Sequence, residues 1–125
     1  MFKLGQLLIG LMLSGPLWAG WTLLAESENL TVYVDFSSPK KMGNIASGNM
    51  MLDFPHLQFI EGRPYRSALK LINVDCVEEK IRTASTSLYA SQMGAGQQLR
   101  SLPSAGWQYI TAGTIESVLF NSLCH

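Results

Sequence analysis

The two cysteines and two histidines are the side chains of this sequence with the greatest capacity for chemistry. Cys76 follows Asp75, and Cys124 precedes the C-terminal residue His125. In an exported protein, a single pair of cysteines favours a disulfide. Such a bridge would stabilise the chain by about 4 kcal/mol in the loop-entropy model. The alternatives are two free thiols or a metal site built from Asp75, Cys76, Cys124 and His125. These residues form two adjacent pairs, which lack the usual ligand spacing of zinc sites.

The other polar residues do not form a recognisable catalytic group. His56 has no obvious acidic partner, and the chain contains no G-x-S-x-G elbow, no H-E-x-x-H motif and no phosphate-binding loop. Glycines occur at positions 94 and 96, but no lysine follows them. Asp75 is expected to accept hydrogen bonds within a turn. We therefore predict a protein that is not an enzyme and uses no cofactor and no metal.

The N-terminal segment indicates export. Lys3 precedes a mostly apolar stretch from Leu4 to Trp18, which is shorter than a bilayer-spanning helix and is followed by small residues. We expect residues 1–20 to be a signal peptide cut after Ala19 or Gly20, with an uncleaved signal anchor as the alternative. After cleavage we expect no stable membrane insertion. The predicted location is the periplasm, the cell envelope or the exterior.

Residues 21–125 have a length that suits one domain. Without Lys3 they carry eight Lys and Arg against nine Asp and Glu, a formal net charge of −1. Nucleic-acid binding would require a clustered basic surface, so we expect no nucleic-acid partner.

Strand patterns dominate this domain. Leu30 to Asp35 alternates between apolar and polar residues, which predicts a strand with one buried face. Pro39 and Gly43 predict a hairpin loop over 36–44, where Lys40 and Lys41 would guard a sheet edge or contact an acidic partner or lipid headgroup. Further strands are predicted over 21–25, 45–54, 68–76, 80–90 and 97–102.

The period changes to that of a helix near the C terminus. Thr114 is a candidate N-cap. Ile115, Val118, Leu119 and Leu123 then lie on one side at helical spacing. A helix of about ten residues does not persist alone in water, so it must pack on the sheet. The predicted fold class is α+β, mainly β: an antiparallel sheet of about six strands with a short C-terminal helix tethered by a disulfide.

The connection from Pro55 to Ser67 is the candidate partner-binding loop. It contains Phe59, Arg63, Tyr65 and Arg66. Long loops that carry exposed aromatic residues often bind other molecules. The alternative is that its apolar residues form a satellite core or a seventh strand.

The order of several short motifs resembles a known family. They are Trp21-Thr-Leu-Leu, Val32-Tyr-Val-Asp35, Gly43-Asn44, Ser67-Ala-Leu-Lys70, Val74-Asp-Cys76, Tyr89, Met93-Gly-Ala-Gly96, Trp107, Ala112-Gly-Thr114 and Cys124. The chain resembles the surface-adhesin protein E family of small exported Gram-negative bacterial proteins. The resemblance implies an antiparallel sheet of about six strands, a short C-terminal helix and the pairing of Cys76 with Cys124. The 55–67 segment departs from the family pattern.

The family's namesake binds host extracellular-matrix and plasma proteins, so the resemblance implies a protein partner. We predict a non-catalytic protein-binding module for adhesion or envelope-associated binding, with a homodimer as one assembly. The alternative is a periplasmic inhibitor of a cell-wall hydrolase or another envelope enzyme.

Overall fold

Seven strands pair into one antiparallel sheet in the computed structural model, which describes residues 20–125. The predicted signal peptide therefore lies outside the described residues, apart from Gly20. Within the described part, no helix is long and apolar enough to cross a bilayer. The elements in chain order are β1 (Trp21–Glu26), β2 (Thr31–Met42), β3 (Ile45–Ile60), β4 (Arg63–Asp75), β5 (Lys80–Tyr89), a 3₁₀ turn (Gln92–Gly94), β6 (Gln98–Leu102), β7 (Gln108–Tyr109) and α1 (Ile115–Cys124).

Each of the first six strands pairs with its neighbour in the sequence, so the spatial order is β1-β2-β3-β4-β5-β6. The two-residue strand β7 pairs with the opposite end of β5 from β6, through Lys80 opposite Tyr109 and Ile81 opposite Gln108. The predicted fold class is confirmed: a mainly antiparallel sheet with one short C-terminal helix.

The core lies between α1 and one face of the sheet. Alternation along the strands places Val34, Ile72 and Val74 on this inner face, where they are buried with Leu119 and Leu123 of the helix. Gly48 lies on the same face. A Cβ atom added there would lie 2.9 Å from Cδ2 of Leu123, so the missing side chain lets the helix approach β3 closely.

The C-terminal helix is fastened at both ends. The Thr114 hydroxyl accepts a hydrogen bond from the Ser117 N–H at 3.3 Å, which confirms the predicted N-cap. At the other end, Cys124 forms a disulfide with Cys76, and their Cα atoms are 5.7 Å apart. The bridge is confirmed, and the free-thiol and metal-ligand interpretations of these cysteines are wrong because each sulfur is bonded to the other.

The turn beside the disulfide also matches the prediction. The Asp75 carboxylate accepts hydrogen bonds from the backbone N–H groups of Val77 and Glu78, at 3.0 and 2.9 Å. These bonds satisfy two donors that the turn leaves without strand partners.

The loops predicted over 36–44 and 55–67 are wrong, whereas the alternative for the second segment is correct in that Leu57, Phe59 and Ile60 lie in a strand, the continuation of β3. Strand β2 continues to Met42 and pairs with β3 around a tight turn, and the 55–67 segment forms a second extended hairpin. Two of the prolines fall where the ladders are irregular: Pro39 lies within the shift between Asp35 and Lys40, and Pro55 lies within the shift between Asp53 and Gln58. A proline lacks an N–H donor, so it is tolerated where regular pairing is interrupted.

Candidate functional site

The candidate partner-binding segment is a two-stranded arm, residues 54–66, formed by the end of β3 and the start of β4. Its strands pair through Gln58 opposite Tyr65, Phe59 opposite Pro64 and Ile60 opposite Arg63. The connecting residues Glu61 and Gly62 have φ values of 50° and 79°. A two-residue connection with both φ values positive is typical of hairpin turns that match strand twist. The arm is therefore built from regular hairpin geometry.

Arg66 holds the base of the arm. The β3–β4 register shifts between Asp53 and Gln58, so that four residues of β3, 54–57, lie opposite one residue of β4, Arg66. The Arg66 side chain fills this irregularity by donating from Nε to the Phe54 carbonyl at 3.2 Å and from Nη2 to the Pro55 carbonyl at 2.8 Å. These bonds satisfy carbonyl groups that have left the ladder. Arg66 is thus a structural residue of the arm.

Tyr65 also supports the arm. Its ring meets the Phe54 ring edge to face, with centroids 5.8 Å apart. Such aromatic pairs stabilise by about 1 kcal/mol beyond the area they bury. At the tip, Glu61 forms an ion pair with Arg100 of β6. The aromatic pair thus stabilises the arm internally, and the ion pair links its tip to β6.

The remaining predicted residues are available to a partner. The Phe59 residue is 65% exposed, and Leu57 is 51% exposed. Arg63 is exposed, and its side chain makes no hydrogen bond or ion pair to any residue in the described part of the chain. The four predicted loop residues therefore divide into two pairs: Tyr65 and Arg66 support the arm, whereas Phe59 and Arg63 present an aromatic ring and a cation to solvent.

A comparison with models of known protein families finds a match that covers residues 21–125. The model of the family "Surface-adhesin protein E" matches residues 21–125. The chain belongs to the surface-adhesin protein E family. The resemblance inferred from the sequence motifs is thereby confirmed, and family membership supports a surface-adhesin-like role and a surface or envelope location.

Solved protein E structures share this fold. The crystal structure of protein E from non-typeable Haemophilus influenzae aligns with a TM-score of 0.66 and 17% identity, covering 85% of this chain and 76% of that one. Crystal form II of Haemophilus influenzae protein E aligns with a TM-score of 0.66 at 15% identity, covering 85% and 87% of the two chains. Comparison with curated protein sequences gave no significant match.

The glycine motif in this protein E fold has a structural role. Asp53 accepts a hydrogen bond from the Met93 N–H at 2.9 Å, and the buried Ser67 hydroxyl accepts one from the Gly94 N–H at 2.8 Å. Ser67 also donates to the Ser91 carbonyl at 2.6 Å. The backbone N–H groups of Met93 and Gly94 thus bind strand side chains of the protein itself.

Sequence reasoning missed a second exposed cluster, on the opposite face of the sheet from α1. Arg82 lies 4.8 Å from the Trp107 ring centroid, and the Lys80 ammonium lies 5.0 Å from that of Tyr109. The sequence spacing of these residues could have indicated the cluster. Two cations and two aromatics, each two residues apart, can meet across one antiparallel ladder.

This cluster continues into polar contacts. With the Asn73 amide oriented to suit its neighbours, its nitrogen donates to the Ser47 hydroxyl at 2.8 Å and its oxygen accepts from the Arg82 guanidinium at 3.2 Å. Glu78 lies 3.1 Å from the Lys80 ammonium, and its hydrogen bond and negative charge raise the pKa of Lys80 above the ordinary value of 10.5. Both cations are therefore engaged within the protein.

In the described part of the chain, no group of three or more His, Cys, Asp or Glu side chains is arranged to hold a metal ion. His56 is exposed on the arm, away from the disulfide. The candidate site formed by the described residues is the exposed surface of the arm, which includes Leu57 and Phe59.

Proposed function

We propose that this chain is an exported, non-catalytic protein-binding module whose arm, residues 54–66, makes the principal partner contact. The observation that carries the proposal is the exposed pair Leu57 and Phe59 on a hairpin held by internal bonds. Arg63 pairs with Ile60, so its exposed side chain lies on the other face of the same hairpin. Aromatic and Arg side chains are enriched among residues that dominate binding energy. A preformed arm also loses less conformational entropy on binding than a flexible loop.

The proposal includes removal of a signal peptide and a location outside the cytoplasm. Residues 1–20 act as a cleaved signal peptide, and residues 21–125 form the single working domain in the periplasm or envelope, or outside the cell. The partner is a protein that offers an apolar depression to the face of the arm that carries Leu57 and Phe59. Extracellular-matrix and plasma proteins are the first candidates by family, and a second copy of the chain is another.

The test is direct binding of immobilised protein 21–125 to a panel of matrix proteins, plasma proteins and the same chain, measured by interferometry. Phe59→Ser should weaken binding at least tenfold. The matched control is Leu23→Ser, which removes a 53% exposed apolar side chain from β1, outside the arm. Equal loss in both variants would remove the arm from the proposal. No binding by the unmodified protein across the panel would refute the adhesive function.

The arm also suits the alternative function, inhibition of an envelope enzyme, because its exposed side chains can contact the enzyme around its cleft. Arg66 is bound to two backbone carbonyls, so the inhibitory contact would depend on Arg63. Cell-wall hydrolase activity in a periplasmic extract should then fall on adding the protein. Arg63→Ala should abolish the inhibition, and Lys41→Ala should leave it intact. Unchanged hydrolysis with the unmodified protein would reject this alternative.

A further inference from the structure

A cavity of about 140 Å³ lies between α1, the inner face of the sheet and the connection from β6 to β7. Its buried floor consists of apolar side chains, and its rim consists of exposed residues of the connection and the first turn of α1. The floor residues are Met50, Ile72, Ile81 and Leu119. The cavity lies on the opposite face of the sheet from the Arg82–Trp107 stack, although the Arg82 residue also contributes to its lining.

Lys70 places a positive charge in this apolar surrounding. It lies opposite Met50 on β3 and two residues before Ile72, so strand alternation puts its side chain on the inner face. The Lys70 residue is half-buried and lines the cavity. Its side chain makes no hydrogen bond or ion pair to a residue in the described range. An ammonium group beside an apolar surface and without a counter-charge would gain charge-assisted hydrogen bonds from an anion bound next to it.

The size of the cavity limits the anion. An apolar cavity of about 150 Å³ is large enough to bind benzene. This cavity is of similar volume, so it can hold one small ring or a short branched chain on its apolar floor while a charged group faces Lys70. Glu116 at the exposed rim carries no ion pair in the described part of the chain, and its negative charge disfavours ligands with several negative charges.

We propose that this cavity is a binding site for a small apolar monocarboxylate. The carboxylate accepts hydrogen bonds from the Lys70 ammonium, and the ring or branched chain packs on Ile72, Ile81 and Leu119. The site is separate from the arm, so the proposal does not depend on the proposed protein-binding function.

The probe is benzoate, titrated into isotope-labelled protein 21–125 and followed by methyl resonances of Ile72, Ile81 and Leu119. Benzamide has nearly the same shape without the charge and serves as the matched ligand control. Benzoate should shift these three residues and bind at least tenfold more tightly than benzamide. Equal affinities, or benzoate shifts that avoid these methyl groups, would overturn the proposal.

Variants sharpen the test. Lys70→Gln should weaken benzoate binding at least tenfold, whereas Lys41→Gln, an exposed change on β2, should not alter it. Glu116→Gln should strengthen binding, because it removes a negative charge from the rim. Unchanged affinity in Lys70→Gln would refute the assignment of the carboxylate. If that variant does not fold, the comparison of benzoate with benzamide on the unmodified protein decides the question alone.

Discussion

Breaking the Cys76–Cys124 bridge should destabilise the domain by about 4 kcal/mol. The bridge joins residues 48 positions apart, and the entropy of closing a loop of that length in the unfolded chain gives this value. Unfolding a domain of this size changes the entropy by roughly 0.2 kcal/mol per kelvin, so the melting temperature should fall by roughly 15–20 °C. Because small domains are stable by about 5–15 kcal/mol in total, the sheet should still form.

The assay is thermal and urea unfolding of Cys76→Ala, Cys124→Ala and the double variant, beside the reduced unmodified protein. Removal of either sulfur breaks the same cross-link, so all four samples should unfold at nearly the same point. Hydrogen exchange should locate the local effect: amides near Leu119 and Leu123 should exchange faster than those near Val34, because only the helix loses its tether.

Two results would refute this reasoning. A loss below about 1 kcal/mol in every sample would show that the helix packs on the sheet without help from the bridge. A double variant that loses about twice as much as each single variant would show that the cysteines contribute through separate contacts rather than through one cross-link.

Three further changes test other parts of the packing. Gly48→Val should lower the free energy of unfolding in urea by about 1–3 kcal/mol, because the added side chain meets Leu123. Gly48→Ala should lower it less, and equal values for the two variants would contradict the steric explanation. Thr114→Ala should lower the free energy of unfolding by about 1 kcal/mol, because it removes the helix cap. Calorimetry would measure this change, and an unchanged stability would contradict the role of the cap. Asp53→Ala should speed hydrogen exchange at the Met93 amide, whose acceptor it removes, and unchanged protection there would reject that role.

The sequence predicted the parts of this fold that follow simple periodicity. Leu30 to Asp35 alternates strictly, and the 115–124 helix shows both a cap and a helical period, so both elements were located correctly. The hairpin at 43–44 was expected, and a strand within 55–67 was an alternative, but the lengths of these strands were underestimated because proline and glycine usually end a strand. Here Pro55 lies in a register shift, and the Arg66 side chain donates a hydrogen bond to the Pro55 carbonyl. Arg66 is eleven residues away, so the local sequence pattern does not reveal this contact.

The candidate site was predicted only in part for the same reason. The segment that contains Phe59 and Arg63 was identified from composition. The supporting roles of Tyr65 and Arg66 depend on which residues face each other across the hairpin, and this register follows from a turn at Glu61 and Gly62. The cavity at Lys70 was missed because it is formed by strands and a helix that are distant in sequence.

The pairing of each long strand with its sequence neighbour has a consequence for how the molecule is made. Hairpins of this kind can form one after another as the chain emerges, since each new strand needs only the one before it. Cys124, on the last turn of α1, is made after all the strands, and its partner Cys76 already lies directly after the end of β4. Formation of the cross-link therefore requires synthesis to reach residue 124, and a product truncated before that residue would keep an unpaired thiol at Cys76 by which thiol-specific factors could distinguish it.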